Sequence, residues 1–160
     1  MFRNILVPTD FGPASENAQK LAAELARKFG SALTLMHVYE VPSSPYPDAP
    51  FPVECIAPIE RAAAVGLDRA LSSLRKRSAG ATSVLREGVP WEEIRRVATD
   101  VGADLIVMGT HGRGGIRHGL HGSVAERVVR TARIPVLTVH AAESAAVDGD
   151  RRTTQRSTAS

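Results

Sequence analysis

The residues best suited to chemistry lie between Gly109 and Arg130, where the sequence reads GTHGRGGIRHGLHGSVAERVVR. Glycines let a backbone turn through positive φ and approach a ligand closely, so that successive N–H groups can face one anion. A helix start immediately downstream adds unpaired N–H groups and the positive end of its dipole. The apolar run Ala103 to Met108 feeds this loop, and an amphipathic helix leaves it, with Ser123 at the helix start. The layout is that of a phosphate cradle. Its spacing is G-x2-G-x9-G-S, through Gly109, Gly112, Gly122 and Ser123. The loop has no lysine, which excludes a Walker A loop, and Arg117 stands where a G-x-G-x-x-G fingerprint needs its third glycine.

The other polar residues of the segment carry weaker signals. Ser123 and Glu126 form S-x-x-E, a capping box that satisfies a helix start without a ligand and still leaves N–H groups free. Arg113 and Arg117 make the loop cationic, with solvated surface charge as the plain alternative. His111, His118 and His121 sit among glycines with no acidic or cysteine partner beside them, too little for the three or four fixed ligands of a zinc site. No local spacing suggests a Ser/His/Asp arrangement.

The elements that must position this loop alternate. Phe2 to Val7 reads as a strand, and Ala14, Ala18, Leu21, Ala22, Leu25, Ala26 and Phe29 recur at helical spacing between Pro13 and Gly30. Ser31 to Tyr39 is a second strand. From Val41 to Pro58 the chain holds six prolines, which predicts an exposed loop. Ile59, Ala63, Leu67, Ala70, Leu71 and Leu74 line a second helix ending near Gly80, and Thr82 to Arg86 is a third strand. Pro90 opens a third helix, with Glu92 and Glu93 against the positive end of its dipole. Ala103 to Met108, Val124 to Ala132 and Pro135 to Val139 complete a β-α-β-α-β-α-β-α-β order. Such alternation predicts an α/β fold, an open parallel sheet with helices on both faces, because right-handed crossovers must join successive parallel strands. Ligands of such sheets bind beyond the carboxyl ends of the strands, at the point where strand order reverses.

Composition is consistent with one small domain: 160 residues, 43% hydrophobic and 23% charged, suffice for a single core. A net charge of +3, with basic residues spread along the helices and aromatics at 4%, argues against nucleic acid. No run approaches the roughly 18 to 20 apolar residues of a membrane span, and the N-terminus lacks the order of a signal peptide, so a cytoplasmic protein is expected. Cys55 is the single cysteine, which leaves no internal disulfide and no cysteine-based zinc cluster. Beyond His140 the sequence AAESAAVDGDRRTTQRSTAS has almost no sizeable apolar side chain, so residues 1–140 are expected to form the domain and 141–160 a disordered tail.

Four segments resemble the universal stress proteins: NILVPTD (Asn4 to Asp10), G-x-P-x-x-x-I (Gly88 to Ile94), ADLIVMGTHGR (Ala103 to Arg113), and GSVAERVVR through IPVLTV (Gly122 to Val139). With the glycine motif intact, the chain resembles the ATP-binding branch of that family. The resemblance implies strand order 3-2-1-4-5, which would bring Pro8-Thr9-Asp10 and Met108-Gly109-Thr110 to one crevice. It further implies that Asp10, with Pro8 and Thr9, holds the ribose and base end of the nucleotide, that Val38 contacts adenine, and that Met108 and Gly109 line the floor. His111, Gly112 and Arg113 match the turn over ribose and phosphates, and Gly122, Ser123 and Val124 the phosphate contacts, with Mg²⁺ or Mn²⁺ bridging the phosphates. Taken without the motif, Asp10 reads as a turn or N-cap residue ahead of Pro13 and Val38 as core.

The function this implies is that of a nucleotide-dependent regulator in the stress response, acting on a downstream protein partner. Rapid phosphoryl transfer would need a base or water-orienting group, and Asp10 at the base end is too remote from a γ-phosphate to supply it. The alternatives are a weak ATPase or nucleotide-handling enzyme and a nucleotide-independent dimeric scaffold. A homodimer is expected through Ile134 to Val139, an edge strand apolar on both faces.

Overall fold

The computed structural model describes residues 2–42, 52–110 and 124–141. The elements are β1 (Asn4–Pro8), α1 (Pro13–Phe29), β2 (Ala32–Tyr39), α2 (Val53–Arg75), β3 (Thr82–Glu87), α3 (Pro90–Asp100), β4 (Leu105–Gly109), α4 (Val124–Thr131) and β5 (Val136–Val139). The five strands form one parallel sheet in the order β3-β2-β1-β4-β5. The expected alternation and the 3-2-1-4-5 order both hold.

The sheet is covered on both faces because its central strands β1 and β4 carry wholly apolar runs, Ile5 to Val7 and Leu105 to Met108. Ile5 and Val7 of β1 point to one face with Leu33, Leu35 and Val107, under Ala18, Ala22, Leu67 and Leu71 of α1 and α2. Leu6 points to the other with Met36, Ile106 and Met108, under Ile94 and Val97 of α3 and Val128 of α4. This is the two-fold alternation of a strand with no wet face. Leu6, Val7, Ile106 and Val107 are essentially inaccessible, each such side chain contributing about 2 kcal/mol of burial.

Helix boundaries follow from local chemistry. Pro13 occupies the first turn of α1, where its missing N–H costs nothing, and Gly30 closes the helix at φ 69°. Gly88, at φ 139°, turns the chain from β3 into α3, whose first residue is Pro90.

One expectation needs correction. The proline-rich segment was expected to stay a loop through Pro58, yet α2 begins at Val53 and contains Pro58. Proline's φ is helical; what it removes is the single bond to the carbonyl of Glu54, and both residues lie exposed near the helix start, where water can serve that carbonyl. The buried stripe Ala63, Leu67, Leu71 and Leu74 further along supplies the stabilisation that carries the helix through it. Residues 43–51 of that segment, and the tail 142–160, lie outside the described residues.

Candidate nucleotide crevice at the β1–β4 switch point

β1 pairs with β2 on one side and β4 on the other, so the order reverses between β1 and β4. At the carboxyl ends of these strands is a crevice of about 310 Å³, the size of a small-ligand site. Pro8, Thr9 and Asp10 enter it from β1, Val38 from β2, Met108 and Gly109 from β4, and Val124 from the start of α4. Seven of the residues singled out in the sequence therefore meet in one place. His111, Gly112, Arg113, Gly122 and Ser123, and with Ser123 the capping box, lie outside the described residues.

Asp10 has two roles, one per oxygen. Its Oδ1 accepts the backbone N–H of Gly12 at 2.9 Å, the turn-forming bond expected of an aspartate ahead of a helix. Among the described residues Oδ2 accepts no hydrogen bond, and Asp10 lines the crevice. A carboxylate held in this way is a pre-set acceptor for hydroxyl groups of a ligand.

Behind Asp10 lies a buried polar cluster. The Thr9 hydroxyl accepts from the Phe11 backbone N–H at 3.0 Å and from Gln19 Nε2 at 3.1 Å. It also lies 3.1 Å from Ser15 Oγ, which donates to the Gly12 carbonyl. Ser15 has one proton and has committed it, so Thr9 must donate to Ser15. The Thr9 hydroxyl thus uses its one donor and both lone pairs inside the protein. Thr9 lines the crevice but keeps its hydroxyl for the turn that presents Asp10.

That turn is under strain. Phe11 has φ 61°, the left-handed region, which costs a bulky residue about 1–2 kcal/mol. Its ring is held against His37, centroid to centroid 4.2 Å. His37 Nδ1 is 2.7 Å from the Thr9 carbonyl; a carbonyl only accepts, so Nδ1 carries a proton and donates it there.

Other residues at the crevice were not assigned to the site from the sequence. Met36 lies two positions before Val38 on the same strand face, and Pro90 and Ile94 bring the start of α3 to the apolar wall. Strand alternation and the G-x-P-x-x-x-I spacing carry that signal. In this motif glycine supplies the positive φ, proline the first helical position, and isoleucine a side chain buried beside the crevice. Gly109 has a packing role: a Cβ there would stand 2.7 Å from the backbone of Ala14 and Ser15.

The rim of the sheet beyond β2 is acidic. Burial first, then the carboxylates of Glu60 and Glu87, push the Tyr39 phenol above its ordinary value. Among the described residues no group of three His, Cys, Asp or Glu side chains could hold a metal ion, and no helix is long and apolar enough to cross a membrane.

An open parallel α/β sheet with a small-ligand crevice at its switch point, walled by apolar side chains and one carboxylate, is the doubly wound architecture whose ligands bind beyond the carboxyl ends of the strands. Residues 1–140 match the model of the Universal stress protein family. The chain belongs to that family. It is 35% identical over 143 residues to a universal stress protein of Methanocaldococcus jannaschii, covering 87% of this chain and 82% of the relative. It is 36% identical over 141 residues to one of Thermus aquaticus, covering 87% and 99%. Among solved structures, the universal stress protein of Archaeoglobus fulgidus in complex with dAMP aligns with TM-score 0.60 and 28% identity over 86% of this chain and 97% of that one. A family member from Burkholderia pseudomallei aligns with TM-score 0.65 and 30% identity over 85% and 94%.

Proposed function

We propose that this protein is an ATP-binding universal stress protein, a cytoplasmic regulator whose partner choice depends on the bound nucleotide. The observation that carries this reading is Asp10, which lines a crevice of about 310 Å³ between β1 and β4 and has one carboxylate oxygen fixed by Gly12. The lining fits the ligand. Met36, Val38, Ile94 and Met108 offer apolar surface for a planar base, Asp10 offers an acceptor for ribose hydroxyls, and the start of α4 offers backbone N–H groups to phosphate. Adenine-nucleotide binding by the relative from Archaeoglobus fulgidus supports the same assignment. His111, Gly112, Arg113, Gly122 and Ser123 complete the phosphate side in this reading. In this reading Mg²⁺ or Mn²⁺ bridges the nucleotide's phosphates.

The test is calorimetric titration of Mg-ATP into nucleotide-stripped protein, with Asp10→Ala and Gly122→Val alongside. Asp10→Ala should weaken binding about tenfold to a hundredfold, the worth of a charge-assisted hydrogen bond. Absence of binding by the unmodified chain would leave the nucleotide-independent scaffold in its place. Phosphate release well above about one per minute, far below the usual range of enzyme turnover, would favour the weak ATPase.

The proposal includes a homodimer through Ile134 to Val139. β5 is the edge of the sheet next to β4, and its Leu137 is exposed, the kind of strand that is covered in native proteins. A monomeric mass in light scattering at micromolar concentration would refute it.

A further inference from the structure

The face formed by α3 and α4 carries an arrangement that the sequence concealed. Basic residues scattered along the chain come together there around Trp91, the single tryptophan. Arg95 lies 5.9 Å and Arg127 5.7 Å from the centre of its ring, within range of a cation–π attraction. Beside them is an open groove of about 760 Å³, whose rim includes Arg133 and whose floor includes Ala103, Ile106 and Ile134.

Charge on this face is unbalanced. Arg96 is paired with Glu93, Arg130 with Glu126, and Arg86 with Asp100. Among the described residues, Arg95, Arg127 and Arg133 have no carboxylate partner, and Glu92 is the one further carboxylate on the groove. Guanidinium groups without partners, in a fork geometry suited to carboxylates, are interaction groups. The indole Nε1 is buried and donates to nothing among the described residues. Among the described residues, packing and its two arginines hold Trp91 in place.

We propose that this groove binds an acidic segment of a partner protein, its carboxylates on Arg95 and Arg133 and an apolar side chain on the floor formed by Ala103, Ile106 and Ile134. Charge complementarity and the apolar floor select this occupant. Nucleic acid fits less well, because base stacking needs an open aromatic face and two arginines already lie over Trp91.

Trp91 provides the readout, since its fluorescence is the chain's whole tryptophan signal. The full chain is titrated with a short synthetic peptide of alternating glutamate and leucine, with a lysine–leucine counterpart, and with oligothymidylate. The expected result is a saturable shift with the acidic peptide alone, weakened by added salt. Arg133→Glu, a rim change that leaves the Trp91 contacts in place, should weaken it about five- to tenfold. Arg133→Lys should restore most of the binding. No response to the acidic peptide, an equal response to oligothymidylate, or indifference to Arg133→Glu would overturn the proposal. So would a Trp91 shift that depends on protein concentration without peptide, since a second copy would then fill the groove.

Discussion

Phe11 lies so close over Gly66 that a Cβ on Gly66 would come within 2.8 Å of Phe11 Cε2. One contact thus joins the strained turn beside the β1–β4 crevice to the middle of α2. Glycine inside a helix costs about 1 kcal/mol relative to alanine, so its presence at position 66 is explained by the ring it admits.

Gly66→Ala should therefore lose stability despite the better helix former, by a net of about 1 kcal/mol once overpacking is set against propensity. In a Phe11→Ala background the same substitution should become stabilising, because the obstacle is gone. Urea denaturation of the four proteins of this cycle checks the claim. Additive effects would show that the contact carries no energy.

Gly109 meets a harder obstacle. Its Cβ would stand 2.7 Å from Ala14 C and Ser15 N, which are backbone atoms of α1 and cannot rotate aside. Gly109→Ala should cost about 3 kcal/mol, at the upper end of overpacking effects, and lower the melting temperature with or without nucleotide. The first glycine of the G-x2-G-x9-G-S motif then marks helix–sheet packing rather than phosphate contact. An unchanged melting temperature accompanied by lost nucleotide binding would reverse that assignment.

At the opposite end of the sheet Asp104 ties β1 to the entrance of β4. Its carboxylate accepts the backbone N–H of Arg3 at 2.7 Å and of Asn4 at 3.1 Å. The bond from Arg3, foremost, holds its carboxyl below the usual range. A depressed folded-state pKa means stability that is present above the unfolded value of about 3.9 and lost as pH falls through the lower folded value. Asp104→Asn should cost about 1 kcal/mol at neutral pH, given a charge-assisted pair near solvent. It should also flatten the stability profile between about pH 4 and the acid limit. Melting curves on both proteins across that range would expose an error as two parallel profiles.

The fold was legible in the sequence wherever a pattern had one physical cause. The wholly apolar runs of Ile5 to Val7 and Leu105 to Met108, short and set between amphipathic helices, read as strands covered on both faces, and Pro90 and Gly30 mark helix ends through their own backbone preferences. Pro58 misled because propensity was weighed without position: a proline one turn inside an exposed helix start removes one bond, and the stripe from Ala63 to Leu74 decides the outcome. At the crevice, Asp10 and Met108 were legible through motif resemblance. The Thr9 hydroxyl was not, because its partners Ser15 and Gln19 are brought to it only when α1 folds over β1. The gathering of Arg95 and Arg127 on Trp91 was hidden likewise, since it depends on α3 and α4 lying side by side.

Thr9→Val tests whether that buried cluster serves the site or only the fold. The substitution keeps the shape and deletes the hydroxyl, leaving Gln19 Nε2, the Phe11 N–H and Ser15 Oγ without their partner. Each unsatisfied buried group costs about 1–3 kcal/mol, and relaxation should limit the total to about 3 kcal/mol. If the cluster positions Asp10 through the Thr9–Gly12 turn, Mg-ATP affinity measured well below the melting temperature should fall as well, about tenfold. Thr9→Ser keeps the hydroxyl and should restore affinity more fully than stability, since the lost methyl leaves a small cavity in a residue that is only 6% exposed. A Thr9→Val protein that is destabilised yet binds Mg-ATP as tightly as before would confine the cluster to a structural role and leave Asp10 held by Gly12 alone.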